Sequence, residues 1–205
     1  MNAQNPMLDG RQQILIEDAA RWRMISMLFE CPSDVWREVL TALTSIVSDS
    51  DLMEAAEAAQ AEASEGLYHS VFGPGGPAPP REVSYQSRVA LGGLISELTG
   101  YYDAFGYQPA TQEPCDHVAV EAGFIGYLRL KEAYALACAD TERASVTADA
   151  ARHFIEDHLS AMAEPLATTL EKSDIRYLAL AGQALVRRTG PRRHMGSPDA
   201  SGLEM

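Results

Sequence analysis

The side chains best equipped for chemistry fall in one stretch, Glu113-Pro114-Cys115-Asp116-His117-Val118-Ala119-Val120-Glu121. On a helix His117 and Glu121 stand four residues apart and share a face, with Asp116 beside them at the positively polarised amino end. Three kinds of chemistry fit these residue types. An imidazole between carboxylates can hold a metal or act as an acid–base pair. Asp116 can simply cap the helix while His117 and Glu121 form an i,i+4 pair worth a few tenths of a kcal/mol. Or the group is an acidic, hydrogen-bonding patch that receives a basic peptide. Metal sites in helical bundles use Glu-x-x-His pairs from two helices, and the chain contains neither that spacing, nor Asp-x-x-His, nor His-Glu-x-x-His.

A second constellation, His153, Asp157 and His158, lies further on. His153 and Asp157 are again four apart, while His158 shares an apolar stripe with Phe154 and Met162 and reads as a core histidine satisfied by one hydrogen bond. The two groups converge only if their helices pack side by side, which spacing leaves open. Other chemistries lack their residues. The glycines of Gly73-Pro74-Gly75-Gly76 are not followed by the Lys-Ser/Thr pair of a phosphate loop, and Lys172-Ser173 has no glycines before it. There is no Gly-x-Ser-x-Gly elbow. Cys115 precedes His117 by two residues, a spacing that turns the two side chains apart on a helix, so a cysteine nucleophile is not expected.

The elements that must position these groups read as helices. Ile14, Leu15, Trp22, Ile25, Leu28 and Phe29 recur at helical spacing over 11–30, and Cys31-Pro32 ends that run. Ser33 is placed as an N-cap for a stripe of Trp36, Val39, Leu40, Leu43 and Ile46. An alanine- and glutamate-rich helix is predicted from Asp51 to about Gly66. The run Gly73-Pro74-Gly75-Gly76-Pro77-Ala78-Pro79-Pro80 cannot be helix or sheet, and predicts an exposed loop over about 73–82 between two helical halves. Leu91, Leu94, Ile95, Leu98, Tyr102 and Phe105 then mark a helix closed by Gly106. Glu113-Pro114-Cys115-Asp116 is read as the start of a central helix reaching about Ala139. Further helices are predicted from Thr141 to Met162, with Pro165 interrupting that helix or its successor, and from Ser173 to Leu185. No stretch alternates as a strand would.

The fold class expected is therefore all-α, one helical bundle over 1–186 with a disordered tail over 187–205. At 205 residues the chain suits one domain. A formal charge of −13, from 16 basic and 29 acidic residues, disfavours nucleic acid and anionic membrane surfaces and favours basic partners. Three cysteines without a C-x-x-C spacing exclude a disulfide framework and the common zinc patterns and suit a reducing cytoplasm. Met1 to Pro6 carry no secretory pattern, and no run of about 18 apolar residues predicts a membrane span. Tyr68, Phe72, Tyr85, Tyr101, Tyr102, Phe105 and Tyr107 flank or follow the Pro/Gly loop, where tyrosines on an acidic body suit an arginine-bearing peptide.

The stretch from Glu113 to Leu128 resembles the signature of the TorD/DmsD/NarJ family of chaperones that mature molybdenum-containing redox enzymes: a proline, Asp116-His117, Glu121 four residues after the histidine, Phe124 three further on, and Leu128. Leu67-Tyr68 to Phe72-Gly73 with the proline loop and Tyr85, and Phe154 to His158-Leu159, agree with it. Met162 stands where the family often has Trp, and Ala122 where it often has Leu. The resemblance implies a TorD-like helical bundle without catalysis or a cofactor of its own, located in the cytoplasm. Its implied partner is an apo molybdoenzyme catalytic subunit or that subunit's twin-arginine leader, held until the molybdenum cofactor is inserted and before export. The same analogy places recognition at Tyr85, Asp116, His117, Glu121, Phe124 and His158. No nucleic acid, stable membrane insertion or bound metal is expected, and the chain is expected as a monomer or a domain-swapped dimer. The competing reading is an all-α metal-dependent hydrolase built on Asp116, His117 and Glu121.

Overall fold

A computed structural model of the chain describes residues 9–86 and 90–190, and among these every regular element is helical. The first four are α1 (Gly10–Leu28), α2 (Asp34–Thr44), α3 (Ser50–Glu62) and α4 (Glu65–Phe72). A strap over 73–86 follows, closing in a 3-10 turn at Glu82–Tyr85. Then come α5 (Leu91–Phe105), α6 (Val118–Ala137), α7 (Thr141–Phe154), a π turn (Ile155–Leu159), α8 (Ser160–Glu171) and α9 (Arg176–Thr189).

The ends of these helices follow from local chemistry. Ser33 Oγ accepts the Trp36 amide at 3.1 Å, as the sequence predicts. Gly106 ends α5 in the left-handed region, at φ 67°. The helix predicted to reach Gly66 ends instead at Glu62, because Ser64 accepts the Leu67 amide and starts α4 afresh. Pro165 does not interrupt: it lies inside α8, and the irregularity falls earlier, at the π turn that joins α7 to α8.

The helices before and after the strap share one core. Helix α6 lies against α1 on one side and α7 on another, while α9 packs between α3 and α8. Close approach is set by small residues. A Cβ on Gly126 would stand 3.1 Å from the Ala19 carbonyl oxygen of α1, and one on Gly182 would stand 2.9 Å from Ala167 Cα of α8. Two buried donors are satisfied across helix contacts: Ser26 Oγ donates to the Ala119 carbonyl at 2.7 Å, and the Trp36 indole donates to Met27 O at 2.6 Å. Phe124 is fully buried and packs against Tyr101, Tyr102, Tyr107 and Phe154, tying α5 and α7 to α6.

Two boundaries differ from expectation. Helix α9 continues through Arg187 and Arg188 to Thr189, because the Arg188 guanidinium reaches Asp18 at 3.1 Å and Asp49 at 2.9 Å. The rest of the expected tail, from 191 onward, and residues 1–8 lie outside the described residues. The 73–82 segment is only partly exposed, since Ala78 and Glu82 are wholly buried. Backbone pairing explains this. The Ala78 amide donates to Val71 O, the Glu82 amide to Asp116 O at 2.8 Å, and the Val118 amide to Pro80 O at 2.9 Å. Arg81 and His117 thus form an antiparallel bridge that lays the strap across the start of α6.

Candidate functional site

The start of α6 is four residues later than the Pro114 position suggests, and its N-cap is His117, not Asp116. Asp116 does not cap the helix because its carboxylate faces the strap. His117 takes the role through Nδ1, which accepts the Ala119 amide at 3.1 Å. Its Nε2–H then points to Tyr68 Oη at 3.3 Å, and the tyrosine hydroxyl in turn donates to Glu113 at 2.8 Å. Burial, with the Arg81 guanidinium nearby, pushes the His117 pKa down to about 3, so the imidazole is neutral. Burial, followed by the hydrogen bond to Glu113, pushes Tyr68 up.

Asp116 and Glu121 are wholly buried, and Glu82 from the strap joins them. Arg81 Nε donates to Asp116 Oδ1 at 2.8 Å, while Asp116 Oδ2 has no partner. Glu121 stands beside Glu82, and burial, then the neighbouring Glu82 carboxylate, push its pKa well above the ordinary range. Glu121 therefore holds a proton, since two carboxylates buried side by side cannot both ionise, and neither of its oxygens has a hydrogen-bond partner. His158 approaches from the π turn, with Nδ1 3.2 Å from both oxygens of Glu82. Gln86 donates to Glu82 from the far end of the strap. The ring of Tyr101 covers His158 edge-on.

The structure thus brings Asp116, Glu121 and His158 together around Glu82. Tyr85, half-buried, closes the strap on itself by donating to Pro79 O at 2.7 Å. Phe124 lies in the core beneath, and His117 turns both nitrogens to other partners. Because of that turn, Asp116, His117 and Glu121 do not converge as the hydrolase reading requires. Among the described residues no three His, Cys, Asp or Glu side chains are arranged to hold a metal ion. His153 and Asp157 are exposed and stand outside the cluster.

Glu82 and Arg81 are the residues that sequence reasoning missed. Arg81 is 35 residues from Asp116 in the chain, so no helical spacing relates them. The one signal in the sequence is that Arg81-Glu82 are the first charged residues after an uncharged Gly/Pro run. A surface groove of about 940 Å³ lies elsewhere, between α6 and α7, and is lined by Leu130, Tyr134 and Val146 among others.

The nitrate reductase delta subunit family matches residues 33–168, a span that contains the strap, the whole cluster and His158. The chain belongs to that family, whose members are chaperones of molybdoenzyme maturation. No curated protein matches it. Among the described residues no helix is long and apolar enough to cross a membrane.

Proposed function

We propose that the protein is a cytoplasmic, client-specific chaperone. It binds an apo molybdoenzyme catalytic subunit, recognises an arginine-bearing segment such as a twin-arginine leader, and holds the client until the molybdenum cofactor is in place. It performs no reaction on a small molecule. The observation that carries this reading is the Arg81–Asp116 pair. The cluster presents a buried carboxylate to a guanidinium supplied by an extended backbone segment, which is the chemistry an arginine-bearing peptide needs. The net charge of −13 favours approach of such a peptide.

Two measurements test the reading together: co-purification of the apo catalytic subunit with the protein, and calorimetry with a twin-arginine leader. The expected result is a complex with the subunit and leader binding that weakens as salt rises. Absence of binding in both would overturn the proposal.

A further inference from the structure

The recognition residues are sealed. Asp116, His117, Glu121 and His158 are each no more than 2% exposed, and the strap lies over them. A peptide seeking Asp116 finds an arginine already there. Arg81 reaches the carboxylate from an extended segment that begins with Pro79-Pro80. Backbone bonds on either side of Arg81, Val118 amide to Pro80 O and Glu82 amide to Asp116 O, hold it antiparallel to the chain entering α6. This is how an added strand would present an arginine.

We propose that the strap is a pseudo-ligand: Arg81 occupies the subsite of a client arginine, and an extended arginine-bearing peptide binds by displacing it. This deepens the proposed function and rests on it. Two features make the exchange favourable. Arg81 uses only Nε on one oxygen of Asp116, and the second oxygen, Oδ2, is buried without a partner. A guanidinium arriving with two parallel N–H groups satisfies both oxygens, which the strap does not. The Arg81 side chain is also 38% exposed, so the outgoing group already faces water. Lysine cannot make the two-pronged contact, so the subsite discriminates between the two cations.

Three measurements decide the matter: calorimetry with an Arg-Arg leader peptide and its Lys-Lys counterpart, the same titrations on Arg81→Gln and Asp116→Asn, and hydrogen exchange at the Glu82 and Val118 amides of the unaltered protein with and without peptide. Removal of the internal competitor is expected to tighten Arg-Arg binding at least tenfold in Arg81→Gln, with Asp116→Asn weakening it at least tenfold at unchanged helical content. The Lys-Lys peptide is expected to bind at least tenfold more weakly. Saturating Arg-Arg peptide is expected to expose the Glu82 and Val118 amides.

If the peptide binds but both amides stay protected, or Arg81→Gln binds no better than the parent, the strap is only a support and the pseudo-ligand idea fails while the chaperone reading stands. The pseudo-ligand idea fails in the same way if the apo subunit co-purifies and neither peptide binds. If neither peptide nor subunit binds, both proposals fall. The exchange measurement needs no variant, so a misfolded Arg81→Gln leaves the test intact.

Discussion

Replacing His117 by Asn tests the interior electrostatics most directly. Asparagine keeps a cap for the Ala119 amide, because Asn is among the best N-cap residues. It removes the Nε2–H that reaches Tyr68 and removes the titration. Near neutral pH the variant is expected to be less stable by about 1–3 kcal/mol, the usual cost of leaving a buried polar partner unmatched. Acid changes the comparison. The His117 pKa lies at about 3 in the folded protein, against 6.5 for the free side chain. As pH falls below 6.5 the unfolded chain takes up a proton that the folded one refuses, and stability from this group is lost until the folded pKa is reached. At about pH 4.5 the loss amounts to about 3 kcal/mol. The His117→Asn variant has no such loss, so the gap between parent and variant should close or reverse there. Urea unfolding of both proteins at about pH 7.5 and about pH 4.5 reads it directly. A gap that stays constant within about 0.5 kcal/mol would mean that the imidazole protonates freely in the folded protein, and burial would not be what holds it neutral.

Glu121 carries the opposite slope. Its raised pKa keeps a proton on the folded protein above the ordinary carboxylate range, so its stability contribution is full below that range and declines as pH rises toward the folded pKa. Glu121→Gln keeps the shape of the carboxyl group and cannot ionise, so its stability relative to the parent should rise as pH climbs above the ordinary carboxylate range, read by urea midpoints, at up to about 1.4 kcal/mol per pH unit. Glycine replacements separate packing from propensity. Gly182→Ala, pressed against Ala167, should lower stability by about 1–2 kcal/mol in spite of better helix propensity. Gly100→Ala, in open space on α5, should raise it by up to about 1 kcal/mol, both followed by thermal unfolding.

What the chain shows before its structure is known depends on how local the cause is. Helices α1, α2 and α5 are legible because Cys31-Pro32, Ser33 and Gly106 act on their immediate neighbours. The break at Ala63-Ser64 hides within an alanine-rich run whose pattern is continuous, and only the Ser64 hydroxyl betrays it. His158 reads as a stripe residue on an even helix. The π turn at Ile155–Leu159 instead carries it to Glu82, a shift that no 3.6-residue period encodes. The choice of His117 over Asp116 as the cap was equally hidden. It depends on Arg81 drawing the aspartate away, and that pairing exists only once the strap has folded back across α6.

Burying carboxylates under Arg81 costs stability that surface charges would not, since each must be desolvated before it is paired. If the cluster receives a client arginine as proposed, its position has a kinetic consequence. The −13 charge acts at a distance and is screened by salt, so it governs how fast a basic segment arrives. Asp116 is out of solvent and acts only on a guanidinium that has entered, so it governs how long the segment stays. The two are separable by stopped-flow with an arginine-bearing leader. Raising salt from about 50 to about 200 mM should slow association with little change in dissociation. Asp116→Asn should speed dissociation at least tenfold, about 1.4 kcal/mol, and leave association nearly unchanged. If salt and Asp116→Asn altered the same rate constant to similar extents, recognition would lie on the general surface, and the buried cluster would have only a structural part in it.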